Sequence, residues 1–224
     1  TAFQNPTGIT WTRERREQFM EVVDRYEVSA IEDNPYGELR YEGEFLPSLT
    51  TFDKKGLVCS LGTFSKTFAP GMRLGWIAAN TTFIEKCDLL KQNMDLSTSP
   101  FSQHVCEAWL DNFDFDAHVT SVRDLYRSRR DAMLNAMDEF FPKEVTYTRP
   151  EGGLFIWCTL PEYMVSRDIL KQCIEKKVAF VPGDPFFTSE GNTNFLRLNY
   201  SCNDEETIRT GIQRIAEVLK ANLK

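Results

Sequence analysis

The stretch Leu57-Val58-Cys59-Ser60-Leu61-Gly62-Thr63-Phe64-Ser65-Lys66-Thr67-Phe68-Ala69-Pro70-Gly71-Met72-Arg73-Leu74-Gly75-Trp76-Ile77-Ala78-Ala79 sets the fold class of this chain. Residues 57–61 are mostly apolar and predict a strand, and 73–79 predict a second. Upstream, Val28-Ser29-Ala30-Ile31-Glu32 predicts a strand ending at Asp33. Thr12 is a candidate cap for a helix over 13–26, with Phe19, Val22, Val23 and Tyr26 as its apolar stripe. Helix and strand alternating in this way predict an α/β layer. Ligands in such sheets sit beyond the carboxyl ends of the strands. Asp33 and the loop from Gly62 to Lys66 both fall there.

Further along, 82–93, 100–111 and 115–140 read as helices. After Pro142 the pattern changes. Strands are expected over 145–148, 154–158, 178–181 and 195–200, with a helix over 166–177. Asn203 with Glu206 three residues on resembles a capping box before a helix carrying Ile208, Ile212, Ile215 and Leu219. The expected division is 1–111 as one domain and 112–224 as a smaller α+β domain.

Composition narrows the function classes. The 224 residues carry a net charge of −7, 42% hydrophobic and 12% aromatic residues. This is a globular profile that disfavours nonspecific binding to nucleic acid or an anionic membrane. Six cysteines stand apart with no C-x-x-C pair, and only His104 and His118 could join them, so no metal site is expected. The cysteines lie in apolar contexts and read as small buried hydrophobes in a reducing cytoplasm. No apolar run reaches membrane-spanning length.

Lys66 has the setting of an aldehyde-cofactor site. Its amine can form a Schiff base, while Thr63, Ser65 and Arg73 can hold a phosphate through hydroxyls and a guanidinium fork. With Asn5-Pro6-Thr7-Gly8 and Asp33-Asn34-Pro35-Tyr36 upstream, the set points to pyridoxal phosphate. It is not a Walker loop, because G-x-x-x-x-G-K-[ST] is absent. Arg197 lies mid-strand among Phe195, Leu196 and Leu198, where a charge is costly unless paired. His104 and His118 read as surface or packing residues, Trp76, Trp109 and Trp157 as core, and Arg129 and Arg130 as a solvated helix face.

In order along the chain, Gln4-Asn5-Pro6-Thr7-Gly8, Asp33-Asn34-Pro35-Tyr36, the run from Thr63 through Lys66 and Arg73 to Gly75, Tyr126 to Asp131, Pro150-Glu151-Gly152-Gly153, Val181-Pro182-Gly183 and Phe195-Leu196-Arg197-Leu198 resemble class I/II aminotransferases of fold type I. The resemblance is strongest to the 2-aminoadipate and kynurenine aminotransferase branch. It implies the C-terminal part of the pyridoxal-phosphate transferase fold: a partial large-domain sheet with helices, then a small α+β domain. It implies Lys66 as the Schiff-base lysine and later proton carrier, and Asp33 as the partner of the pyridine nitrogen. Asn5 and Tyr36 would bind the phenolic oxygen, with Asn5 also near substrate. Thr63, Ser65 and Arg73 would hold the phosphate, and Arg197 would bind the substrate α-carboxylate.

The implied partners are an amino acid, a 2-oxo acid and a second copy of the full-length protein. The chain starts within a loop that should follow a strand, which predicts an N-terminally truncated fragment of low activity. The family's further N-terminal part supplies phosphate donors and a ring-stacking aromatic. Two alternatives share these residues, a carbon–sulfur β-lyase and a cyclase acting on an activated methionine; a third, of a different class, is the effector domain of a winged-helix transcription regulator.

Overall fold

In the computed structural model, which describes residues 1–224, Thr12 accepts from the N–H of Arg15 and opens α1 (Arg13–Tyr26). The chain then enters β1 (Ala30–Asp33), which runs parallel to β2 (Val58–Thr63), with Asp33 opposite Leu61. β2 pairs antiparallel with β3 (Gly75–Ala78), with Thr63 opposite Gly75. The order of this sheet is β1-β2-β3. Met20 and Val23 of α1 pack on Ala30, Val58 and Leu49, with Phe19, Phe52 and Leu57 at the margin. Burying each large apolar side chain stabilises by about 1.5–3 kcal/mol.

The buried face of α1 differs from the expected stripe. Val22 and Tyr26 are 51% and 66% exposed, and Arg16 takes the inner position with Met20 and Val23. Arg16 is tolerated there because its donors are met. It donates to the carbonyls of Trp11, Pro47 and Thr1, and its Nη1 lies 4.0 Å from Oε1 of the equally buried Glu32. Glu32 in turn accepts from the N–H of Leu49 and from the hydroxyls of Thr1 and Ser48.

α2 (Thr81–Met94) buries no residue, and α3 (Pro100–Asn112) buries only Cys106. Leu89, Leu90, Met94, Leu96 and Phe101 are exposed, as is all of β3. Trp76, expected in the core, is 49% exposed and lies flat on Gly62, where an added Cβ would come within 2.1 Å of the indole. α4 (Phe115–Phe140) follows. Arg129 and Arg130 do not form the expected solvated face. Arg130 is buried and donates to the Pro150 carbonyl and to Asp131, and Arg129 donates to the Ser201 carbonyl. Both are held by backbone carbonyls that spacing along one helix cannot reveal.

The second sheet has the order β4-β5-β7-β6, all antiparallel, from β4 (Thr146–Tyr147), β5 (Phe155–Thr159), β6 (Val181–Pro182) and β7 (Phe195–Asn199). α5 (Ser166–Glu175) and α6 (Glu205–Ala221) complete this part. The strand expected over 178–181 is reduced to Val181–Pro182. The N–H of Val178 closes the end of α5 on the Cys173 carbonyl, and Pro182 has no N–H for a ladder. α6 is capped by Asp204, which accepts from Thr207, and not by Asn203. Its stripe of Ile208, Ile212, Ile215 and Leu219 is buried as expected.

Two compact units result. One is Thr1–Ala2 with Thr10–Val122, and the other is Phe3–Ile9 with Arg123–Lys224. No helix is long and apolar enough to cross a membrane. The six cysteines are free; burial pushes the Cys158 thiol up, and that of Cys173 to about 11.

Candidate active site

On the first unit the site begins with strand alternation. Ala30 and Glu32 of β1 face inward, and Ile31 and Asp33 face the open side. Asp33 therefore ends β1 with its carboxylate away from the Arg16–Glu32 pair. It accepts no hydrogen bond and forms no ion pair, so the chain does not use it as a cap or turn residue. The neighbouring strand β2 ends at Thr63, and the chain then makes an excursion that carries Lys66. The Phe64 N–H donates to the Leu74 carbonyl at 3.1 Å and closes its base. Inside, the N–H groups of Phe68 and Ala69 both donate to the Phe64 carbonyl, at 2.8 and 3.0 Å.

Lys66 is half-buried, and its ammonium makes no ion pair or hydrogen bond with the protein. Its Nζ lies 6.0 Å from the ring centroid of buried Tyr36. Thr63 is already engaged: its hydroxyl donates to the Leu74 carbonyl and accepts from the Ser65 N–H, each at 3.1 Å. Ser65 keeps its hydroxyl. Arg73, exposed and in a left-handed conformation at φ 56°, donates one Nη1 to the Pro70 carbonyl and keeps further N–H donors. A cavity of about 300 Å³ lined by Glu32, Asn34, Ser60, Thr67 and Trp76 lies nearby, but neither Asp33 nor Lys66 lines it. Asp33 and Lys66 therefore lie outside this cavity.

The second unit holds the other two predicted residues. The loop at Asn5 is folded on Gln4, whose Oε1 accepts from the N–H and hydroxyl of Thr7. Gly8, at φ 70°, lies against β5: an added Cβ would approach the Phe155 carbonyl to 2.8 Å. The loop so seated presents Asn5, whose Oδ1 accepts from Nη1 of Arg197 at 2.6 Å. Arginine can only donate, so the amide oxygen must face it and the amide Nδ2 is left to donate elsewhere. Arg197 is also flanked by two rings, with its Cζ 4.2 Å from the Phe155 centroid and 5.1 Å from that of Phe186. Such cation–π contacts contribute about 0.5–2 kcal/mol and fix the plane of the fork.

The structure thus groups the predicted residues in two sets: Asp33, Tyr36, Thr63, Ser65, Lys66 and Arg73 on one unit, Asn5 and Arg197 on the other. His118, expected to be a surface or packing residue, is bonded to the lysine loop through the Thr67 carbonyl. No spacing signal could have found it, since the two are 51 residues apart.

Residues 1–215 match the family model described as aminotransferase class I and II. The chain is 45% identical over 222 residues to aromatic-amino-acid aminotransferase 1 of Thermococcus litoralis, covering 99% of this chain and 53% of that protein. It is similar to the kynurenine aminotransferase of Pyrococcus horikoshii, solved with PMP, at 43% identity and a TM-score of 0.96, over 100% of this chain and 55% of that one. It is also 30% identical to an uncharacterized HTH-type transcriptional regulator of Bacillus subtilis, YisV, over 98% of this chain and 45% of that protein. The chain spans about half the length of the curated relatives it matches. With a fold shared at this level and a family match running through nearly all of its length, the chain belongs to the class I and II aminotransferases.

Proposed function

We propose that this chain carries the lysine-bearing part of a pyridoxal-phosphate-dependent aminotransferase that moves an amino group from an amino acid to a 2-oxo acid. The observation that carries this reading is at the ends of β1 and β2. Asp33 ends β1 and Lys66 follows the end of the adjacent parallel β2 by three residues, and neither is used by the fold's own hydrogen bonds or ion pairs. The donor set fits the cofactor. A lysine amine, a carboxylate for a pyridinium nitrogen, a serine hydroxyl and an arginine fork for phosphate are present on one unit.

When bound, pyridoxal phosphate supplies an electron sink for the substrate α-carbon. Lys66 would hold the group through Nζ and would be the base that carries a proton at the substrate α-carbon. Asp33 keeps the ring nitrogen protonated. Ser65 and Arg73 hold the phosphate, and Thr63 shapes their loop. Tyr36 would donate to the phenolic oxygen, and Asn5 would offer its Nδ2 as a donor. Arg197 takes the substrate carboxylate.

In this reading 1–111 is the remaining part of a large cofactor-binding domain and 112–224 is the small domain. The exposed Leu89, Leu90, Met94 and Phe101 support a partner copy on α2 and α3. The free cysteines support a cytoplasmic setting. The aminotransferases among the relatives are more similar than the regulator, which supports an enzyme over an effector domain. The test is turnover of glutamate with 2-oxo acids by this chain and by the longest polypeptide its gene encodes. Amino-acid product and a visible absorption band in the longer protein are expected, with little turnover by the 224 residues alone. Ammonia and pyruvate released from a β-substituted amino acid, with no amino transfer, would instead identify a lyase.

A further inference from the structure

We propose that His118 is a positioning residue for Lys66, acting by holding the backbone that immediately follows it. The inference rests on the reading of Lys66 given above. Nε2 of His118 lies 2.9 Å from the Thr67 carbonyl. A carbonyl only accepts, so Nε2 carries a proton and donates. Thr67 is 6% exposed, and its carbonyl has no other partner. The next residue is held from the same side: the Phe68 ring lies 4.5 Å from Trp109 of α3. Trp109 in turn meets His118 edge-on at 5.1 Å, with an interplanar angle of 83°.

The two residues after Lys66 are therefore fixed, one by its backbone oxygen and one by its ring, to a cluster built from α3 and the first turns of α4. On the other side of Lys66 the loop is closed by the Phe64–Leu74 bond. Lys66 itself makes no bond that would orient it. Its direction is set by the backbone on either side, and His118 is the one side chain that bonds that backbone from outside the loop. Removing the donor leaves the Thr67 oxygen buried and unsatisfied, and the loop gains freedom to turn it toward water.

The test compares His118→Leu, which removes the donor, with His118→Gln, whose Nε2 can replace it. Hydrogen exchange of peptides covering 64–69 reads the clamp. Borohydride trapping of pyridoxal phosphate, with the modified peptide identified by mass, reads Lys66. His118→Leu is expected to speed exchange in 64–69 by about 3- to 10-fold, as the net value of one hydrogen bond implies. Trapping at Lys66 should fall by a similar factor, and His118→Gln should restore both.

Unchanged exchange in the leucine variant, or a glutamine variant that behaves like leucine, would overturn the proposal. So would faster exchange with undiminished trapping. With trapping done on the longest polypeptide the gene encodes, an unaltered protein that takes no label at Lys66 would sink the aminotransferase reading, and the exchange comparison would still decide the clamp. Should the leucine variant not fold, His118→Asn, too short to reach Thr67, replaces it with the same expected outcomes.

Discussion

Arg197 donates to Oδ1 of Asn5 across 192 residues of sequence, at 2.6 Å. The bond orders the guanidinium from one side while Phe155 and Phe186 hold its plane. A neutral amide orients the arginine without cancelling its charge. The fork remains cationic, as the proposed carboxylate role requires.

Asn5→Asp would replace that amide with an anion. The new carboxylate would satisfy Arg197 by itself and compete with substrate. Hydrogen bonds to charged groups are worth about 1.5–3 kcal/mol, so KM for the amino acid should rise about 10- to 100-fold. Steady-state kinetics in the active protein checks this. An unchanged KM would remove Arg197 from the carboxylate role.

Lys66→Ala should abolish borohydride-trapped adduct at this position and leave stability intact. Lys66 makes no ion pair or hydrogen bond, so its removal costs the fold little; surface changes of this kind stay within about 0.5 kcal/mol. Peptide mapping and a thermal melt test the two halves separately. A melt lowered by many degrees would show that the lysine has a structural partner.

Arg16→Met should destabilise the first unit strongly. The methionine fits the volume but leaves Glu32 buried without its cation, and breaking a buried pair costs about 3–5 kcal/mol. The midpoint of urea unfolding would fall with little change in slope. A loss under 1 kcal/mol would mean that the hydroxyls and N–H around Glu32 suffice.

Tyr147 provides a pH test. Its hydroxyl donates to Asp138, which also accepts from Arg149, and burial followed by that bond pushes the phenol up to about 12. The folded chain thus keeps a proton that the unfolded chain releases near pH 10. Its contribution is complete below pH 10 and is lost as pH rises toward 12. Tyr147→Phe should be less stable at neutral pH and show a shallower alkaline loss between pH 10 and 12. Equal slopes in that window would refute the assignment.

Most helices and strands were legible in the sequence because their signals are local. Thr12 stands one residue before α1, and the apolar runs at β2 and β7 are uninterrupted enough to read. What escaped is nonlocal. Arg16 looks like surface until three carbonyls and Glu32 surround it. Arg130 looks like a helix face until Pro150 approaches it. Asp33 and Lys66 could be placed at strand ends from the pattern alone. That Thr63 spends its hydroxyl on Leu74 could not, because the return of the chain at β3 sets it.

The seat of Gly8 on β5 has a consequence for the order of events during synthesis. Residues 3–9 leave the ribosome well before Arg197, yet the surface that receives them is completed only when Arg197 has emerged. At about 5–20 residues per second the wait is roughly 10–40 s. Over that interval Asn5 and its loop have no native surroundings, while α1, β1 and β2 behind them already have theirs. This earlier-made loop reaches its place only after the later-made β5 and β7 are present.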